Sequence, residues 1–179
     1  KKMKKHALEG LKVVDFSWVF TGPIVTKYLG DHGAEVIKIE SATRPDGTRL
    51  MTPFKPGAMG LNASGVFANF NSSKYSININ LREPRGKEVV KKLVQRADIV
   101  LETFGPGVMT KLQLDYDVLK QSKQDIIMRS MTMVGQTGPH SQQPSFGQVL
   151  QATNGFVQLL GWPDRPPSLP VAAYTDYIA

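Results

Sequence analysis

The feature that most constrains the fold is an alternation near the start of the chain. Leu11-Lys12-Val13-Val14-Asp15-Phe16 is followed by a Gly22-Pro23 turn, an amphipathic run to Leu29, and then Val36-Ile37-Lys38-Ile39-Glu40. The two short apolar runs read as strands and the periodic run between them as a helix. Strand, tight turn, helix and a second strand ending on an acid is the order of a nucleotide-binding α/β unit. In such a unit phosphates sit at the helix N-terminus, and the acid after the second strand meets a ribose hydroxyl. The turn lacks GxGxxG, so an ordinary NAD site is not supported.

The alternation continues. After Glu40 a Gly/Pro-punctuated stretch to Gly65 reads as a functional loop, and Phe67 to Phe70 as a helical turn. Tyr75 to Leu81 alternates with period two, which predicts a strand with one polar face. Pro84 opens a helix from about Arg85 to Arg96, with Val89, Val90, Leu93, Val94 and Ala97 on one stripe. Asp98 to Glu102 is short and apolar, as in a covered parallel sheet. Pro106-Gly107 starts another helix, Tyr116 to Gln121 makes a helical turn, and Ile126 to Met131 is a strand. Gly135 to Phe146 reads as loop, Gln148 to Leu160 as one helix, and Trp162 to Pro170 as a proline-rich connection. Tyr174 to Ala179 looks like the start of a further element with no tail signal, so the natural protein is expected to continue. Strands alternating with helices imply an α/β, Rossmann-like fold, a mostly parallel sheet flanked by helices.

Bulk properties narrow the function. The 179 residues are 41% hydrophobic, enough for one domain with a real core. Residues 1–7 read as a basic tail and 8–179 as the domain; five of the 22 basic residues lie in the first twelve positions. The remaining positive excess of the +7 chain suits a polyanionic ligand such as a nucleotide. No basic stripe interleaved with aromatics supports nucleic acid as a partner. The chain has no cysteine, which excludes disulfides and thiol catalysis and favours a reducing compartment. No long apolar span points to a membrane, so a soluble cytoplasmic protein is expected. His6, His32 and His140 are scattered, with no metal-ligand spacing, and no metal is expected.

A set of short pieces, each weak alone, is specific in its order and spacing. They are Leu8-Glu9-Gly10-Leu11-Lys12-Val13-Val14-Asp15, Gly22-Pro23, Gly33 to Glu40, Asn71 to Ser76, Gly86-Lys87, Ala97 to Gly107, Gly135 to Pro139, Gln151 to Gly155, and Tyr174-Thr175-Asp176. Together they resemble the N-terminal half of family III CoA-transferases, a group that includes formyl-CoA transferase, carnitine CoA-transferase and α-methylacyl-CoA racemase. The resemblance implies the N-terminal part of an interlocked-dimer fold, with coenzyme A or acyl-CoA as substrate and no permanently bound cofactor. The partners it implies are an acyl-CoA, an organic acid and a second subunit, identical or not.

It also implies roles. Asp176 falls at the family's nucleophile, which attacks the acyl-CoA thioester, forms a mixed anhydride, and is converted to an aspartyl-CoA thioester that the acceptor acid attacks. Phe20 and Thr21 fall beside the pantetheine arm and thioester. Ile79, Asn80, Leu81 and Arg82 match an adenine and phosphate segment, and Thr103, Phe104 and Gly105 a second adenine-side segment. The family usually has Asn-Phe-Arg at that second segment, so Lys111 is a compensating basic position. Arg44 or Arg49 stands in for a base that the family often carries at Ser41. Phe146 and Gly147 fall in a substrate segment. Phe146 occupies the racemase's histidine position and cannot move a proton, which disfavours racemisation. Formyl-CoA transferase has glutamine at Phe20 and an acid at Gly147, so an acceptor bulkier than formate or oxalate is expected. Taken without the resemblance, Asp176 reads as a helix N-cap, Lys74 and Arg82 as solvated charges, and Trp18, Phe20, Phe104 and Phe146 as packing residues. The competing functions are a non-catalytic CoA-binding subunit and a plain nucleotide-binding α/β module.

Overall fold

The computed structural model of the chain describes residues 6–143, 146–170 and 174–178. Lys1 to Lys5, most of the expected basic tail, lie outside the described residues, as do Pro144, Ser145, Val171 to Ala173 and Ala179.

Five strands form one parallel sheet: β1 (Lys12–Asp15), β2 (Glu35–Glu40), β3 (Tyr75–Asn78), β4 (Ile99–Glu102) and β5 (Ile127–Ser130), in the order β3-β2-β1-β4-β5. The register pairs Val13 of β1 with Val36 on one side and Ile99 on the other. Helices α1 (Thr21–Asp31), α2 (Gly65–Phe70), α3 (Pro84–Val94), α4 (Val108–Leu112) and α5 (Tyr116–Ser122) alternate with the strands. Three more follow β5: α6 (Gly147–Thr153), α7 (Phe156–Leu159) and α8 (Tyr174–Ile178).

Successive residues of a strand point to opposite faces, and here the two faces feed two cores. Val14, Phe16, Ile39 and Val100 pack with Val90 and Val94 of α3 and Leu119 of α5. Val13 and Val36 pack on the other face with Ala34, Leu8, Leu11 and Leu29 of α1. The central strands are therefore apolar on both sides, which is why they read as continuous runs rather than alternating ones.

Three expectations need correction. The strand expected to reach Leu81 ends at Asn78, because Asn80 Oδ1 accepts the Arg82 N–H at 3.1 Å and turns the chain toward α3. The single helix expected from Gln148 to Leu160 is two, broken at Gly155 with φ of +81°, a left-handed cap that glycine adopts at no steric cost. The loop after Glu40 contains a short 3-10 helix, Gly47–Leu50, capped by Asp46. Tyr174 does begin a helix, α8. Among the described residues no helix is long and apolar enough to cross a membrane.

Candidate active site

Strand order reverses between β1 and β4, and ligands of open α/β sheets bind outside the carboxyl ends of the strands at such a switch point. The chain leaving β1 is held there tightly. The Trp18 N–H donates to Thr103 Oγ1 at 3.0 Å, and the Val19 N–H to Asp46 Oδ1 at 3.3 Å. Val19 has φ of +68°, a costly setting for a β-branched residue, about 1–3 kcal/mol. The turn it makes aims the N-terminus of α1 at the crevice. A Cβ on Gly22 would lie 2.6 Å from Thr103 Cγ2, so only glycine lets α1 approach the end of β4 this closely.

Asp176 reaches the same place from the other end of the chain. The Thr21 hydroxyl, on the first residue of α1, donates to Asp176 Oδ1 at 2.7 Å. On its other side Asp176 rests against Gly147. A Cβ on Gly147 would stand 2.3 Å from Asp176 Oδ2, and the Thr175 hydroxyl donates to the Gly147 carbonyl at 3.0 Å. Burial raises the Asp176 carboxyl above its ordinary value of 3.8, and the Thr21 hydroxyl opposes that rise. An aromatic wall borders it. The Phe20 and Phe70 rings are 4.9 Å apart between centroids, and Phe70 is 6.0 Å from Tyr177. Neither Phe70 nor Tyr177 stood out in the sequence, although Tyr177 directly follows Asp176.

The other expected site residues lie along the same sheet edge. Thr103 and Phe104 follow β4; the Phe104 ring meets Trp18 edge-on at 6.0 Å and packs on the core. Gly105 opens onto a cleft of about 180 Å³ shared with Glu102, Tyr116 and Gln136. Asn80, Leu81 and Arg82 follow β3, with Arg82 exposed, Leu81 half-buried and the Ile79 side chain in the core. Lys111 is exposed on α4. Phe146 caps α6 and is 71% exposed, turned out of the wall that Phe20 joins.

Two acid and base assignments are corrected. Glu40 is not available to a ribose: Arg49 donates to both its oxygens at 2.8 Å, and Ser76 to one at 2.7 Å. Burial pushes Glu40 up, but these donors hold it below its ordinary value. Arg49, stacked 3.5 Å from the Phe67 ring centroid, is equally unavailable as a phosphate partner. Arg44 lies 5.4 Å from the Trp18 ring centroid. The pair instead fastens the 41–65 loop to β2, helped by Lys38, whose Nζ is 3.2 Å from Asp46 Oδ2.

Lys74 is likewise no solvated charge. Its Nζ sits 3.2 Å from Asp15 Oδ2 and 2.9 Å from the Pro23 carbonyl, under α1. Burial lowers it to about 8, against the pull of Asp15. Thr26 also donates to Asp15, at 2.6 Å. Buried charges persist only when paired in this way. At the end of β4 Glu102 accepts the Phe104 N–H at 2.6 Å, and burial raises its carboxyl.

The sequence and fold match proteins of one kind. Residues 8–179 match the model of CoA-transferase family III. The chain is 36% identical to succinyl-CoA:glutarate CoA-transferase of Homo sapiens over 169 residues, 94% of this chain and 38% of that protein. It is 35% identical to acetyl-CoA:oxalate CoA-transferase of Acetobacter aceti, over 92% of this chain and 41% of that one. A crystal structure of a CAIB/BAIF family protein from Brucella suis superposes with a TM-score of 0.88 at 36% identity, covering 97% of this chain and 46% of its own. The chain thus spans about two fifths of the length of the curated relatives it matches. Fold and sequence agree, and the chain belongs to CoA-transferase family III.

Proposed function

We propose that this chain is the CoA-binding part of a CoA-transferase that moves CoA from an acyl-CoA to a carboxylic acid through Asp176. The observation that carries this reading is the placement of Asp176 against the N-terminus of α1, hydrogen-bonded to Thr21 at 2.7 Å. A carboxylate there has one oxygen held and the positive end of an 11-residue helix beside it, which favours negative charge on the reacting group. Attack of a carboxylate oxygen on the thioester carbon expels CoA thiolate and leaves a mixed anhydride. The thiolate then attacks Asp176 Cγ, releases the donor acid and leaves aspartyl-CoA. The acceptor carboxylate enters by the reverse steps.

In this reading Phe20, Thr21, Thr103 and Phe104 line the path of the pantetheine arm. Asn80, Leu81, Arg82, Gly105 and Lys111 meet the adenine and phosphates, and Ile79 acts through its backbone. Phe146 and Gly147 belong to the acyl side, Gly147 by giving Asp176 room. The wall of Phe20, Phe70 and Tyr177 supports an acceptor bulkier than oxalate. The active protein is a dimer of interlocked subunits.

The test is incubation of the full-length protein with a panel of acyl-CoA donors, followed by intact-mass and peptide analysis. CoA attached to Asp176, discharged by added acid acceptors, is the expected result. CoA binding with no adduct from any donor would favour the non-catalytic subunit, and no CoA binding at all the plain nucleotide module.

A further inference from the structure

We propose that the Thr21 hydroxyl is an oxyanion donor for the reactions at Asp176 itself. The proposal rests on the reading of Asp176 as nucleophile. It starts from the distinction between the two carboxylate oxygens. Oδ1 accepts from Thr21 Oγ1 at 2.7 Å, whereas Oδ2 faces the bare Cα of Gly147. The side chain is therefore presented with one oxygen occupied and the other at the surface left by a missing Cβ.

The chemistry makes that difference matter. Oδ2 attacks the thioester carbon, the C–O bond forms, and the C–S bond breaks with its electron pair on sulfur. In the anhydride Oδ2 is the bridge and Oδ1 the carbonyl oxygen. When the thiolate attacks Cγ, a C–S bond forms and the carbonyl π pair moves onto Oδ1. Re-forming that carbonyl breaks the Cγ–Oδ2 bond, and the donor acid leaves as a carboxylate carrying Oδ2. Attack of the acceptor carboxylate on the aspartyl-CoA carbon again puts the charge on Oδ1. Each crossing through Cγ thus builds an oxyanion on the oxygen that Thr21 already touches. A donor fixed beforehand on developing charge is the strongest single kind of transition-state stabilisation available to such a site.

Thr21 is well placed for this by its surroundings. It is the first residue of α1, where the helix dipole adds to the hydroxyl's effect. The strained Val19 turn and the Gly22 contact with Thr103 fix the start of that helix. A side chain without a hydroxyl here would still fill the space but offer no proton.

The test compares Thr21→Val, Thr21→Ala and Thr21→Ser with the unmodified full-length protein. The rate of CoA attachment to Asp176 is followed by quenched intact mass, beside kcat and KM for transfer. Val and Ala are expected to lose about 100- to 1000-fold in adduct formation and kcat, with KM for the acyl-CoA little changed. Ser is expected to stay within a few-fold of the original. Removing the hydroxyl also removes its opposition to the rise in the Asp176 carboxyl, so the acid limb of the rate profile moves to higher pH in Val and Ala but not in Ser. A plain packing role for Thr21 would give neither the pH displacement nor rescue by serine. Unmodified rates in Val and Ala, with a normal adduct in the parent, would overturn the proposal and leave the nucleophile intact. No adduct in the parent would remove the nucleophile and this role with it.

Discussion

At the scale of single residues, Asp176 carries the largest expected effect. Asp176→Ala and Asp176→Asn are expected to abolish transfer while CoA still binds, because an amide is a far poorer nucleophile than a carboxylate. Isothermal titration with CoA beside a transfer assay separates the two. The pH dependence follows from the environment. Burial raises the Asp176 carboxyl, so its nucleophilic, ionised fraction disappears as pH falls through a value above the ordinary 3.8. The rate of the first step should therefore decline on its acid side at a higher pH than a solvated aspartate would give. A limb at or below 3.8 would contradict the half-buried setting. Arg82 supplies a second residue-scale expectation. Exposed after β3, it is free to meet a phosphate, and a charge-assisted bond there is worth about 1.5–3 kcal/mol. Arg82→Ala should weaken CoA about 10- to 150-fold, and dephospho-CoA much less. Equal losses for both ligands would take Arg82 off the 3′-phosphate.

At the scale of elements, the buried pair Lys74–Asp15 ties the start of β3 to the end of β1 beneath α1. Lys74→Met should cost about 3–5 kcal/mol, since it strands a fully buried carboxylate without its cation. Chemical denaturation measures this directly. The pH dependence has an unusual sign. Lys74 titrates at about 8 in the folded chain and at 10.5 ordinarily, so between those values the unfolded chain holds more protons. Its contribution to stability therefore rises with pH across that window, and Lys74→Met should lack the rise. Elements also show what the sequence made legible. β1, β2 and β4 are buried on both faces, and an unbroken apolar run is enough to find such a strand. The end of β3 was hidden because Ile79 and Leu81 carry the alternation past Asn78, its last residue, and only the Asn80 turn ends it. The break in the last helical stretch was visible as Gly155 but needed its left-handed φ to become a cap. Glu40 was legible as a strand-ending acid, yet its partner comes from a loop whose path no local pattern dictates.

For the molecule as a whole, the exposed apolar side chains are unevenly spread. Among the described residues, six of the eleven large apolar side chains that are at least 54% exposed, Phe146, Leu159, Trp162, Leu169, Tyr177 and Ile178, fall between positions 146 and 178, the other five being Tyr28, Leu50, Met59, Tyr75 and Ile127. So much apolar surface in one region marks a contact face. In the full-length protein these residues are expected to be covered by a second subunit or by further chain. Sedimentation and hydrogen exchange should show a dimer with this region protected, and a monomer with it freely exchanging would contradict the interlocked arrangement. The site itself was legible mainly through the order of motifs. Periodicity placed a helix N-terminus directly after the first strand, but nothing local links Thr21 to a carboxylate 155 positions away.

That separation also bears on how the protein is made. During synthesis the chain emerges from its N-terminus, so all five strands and the α1 clamp are available before Asp176 leaves the ribosome. Closing so long a loop is slow compared with forming the βαβ units, whose contacts are closer in sequence. A nascent chain thus has the whole β1–β5 sheet and the start of α1 outside the ribosome before the Thr21–Asp176 hydrogen bond can form.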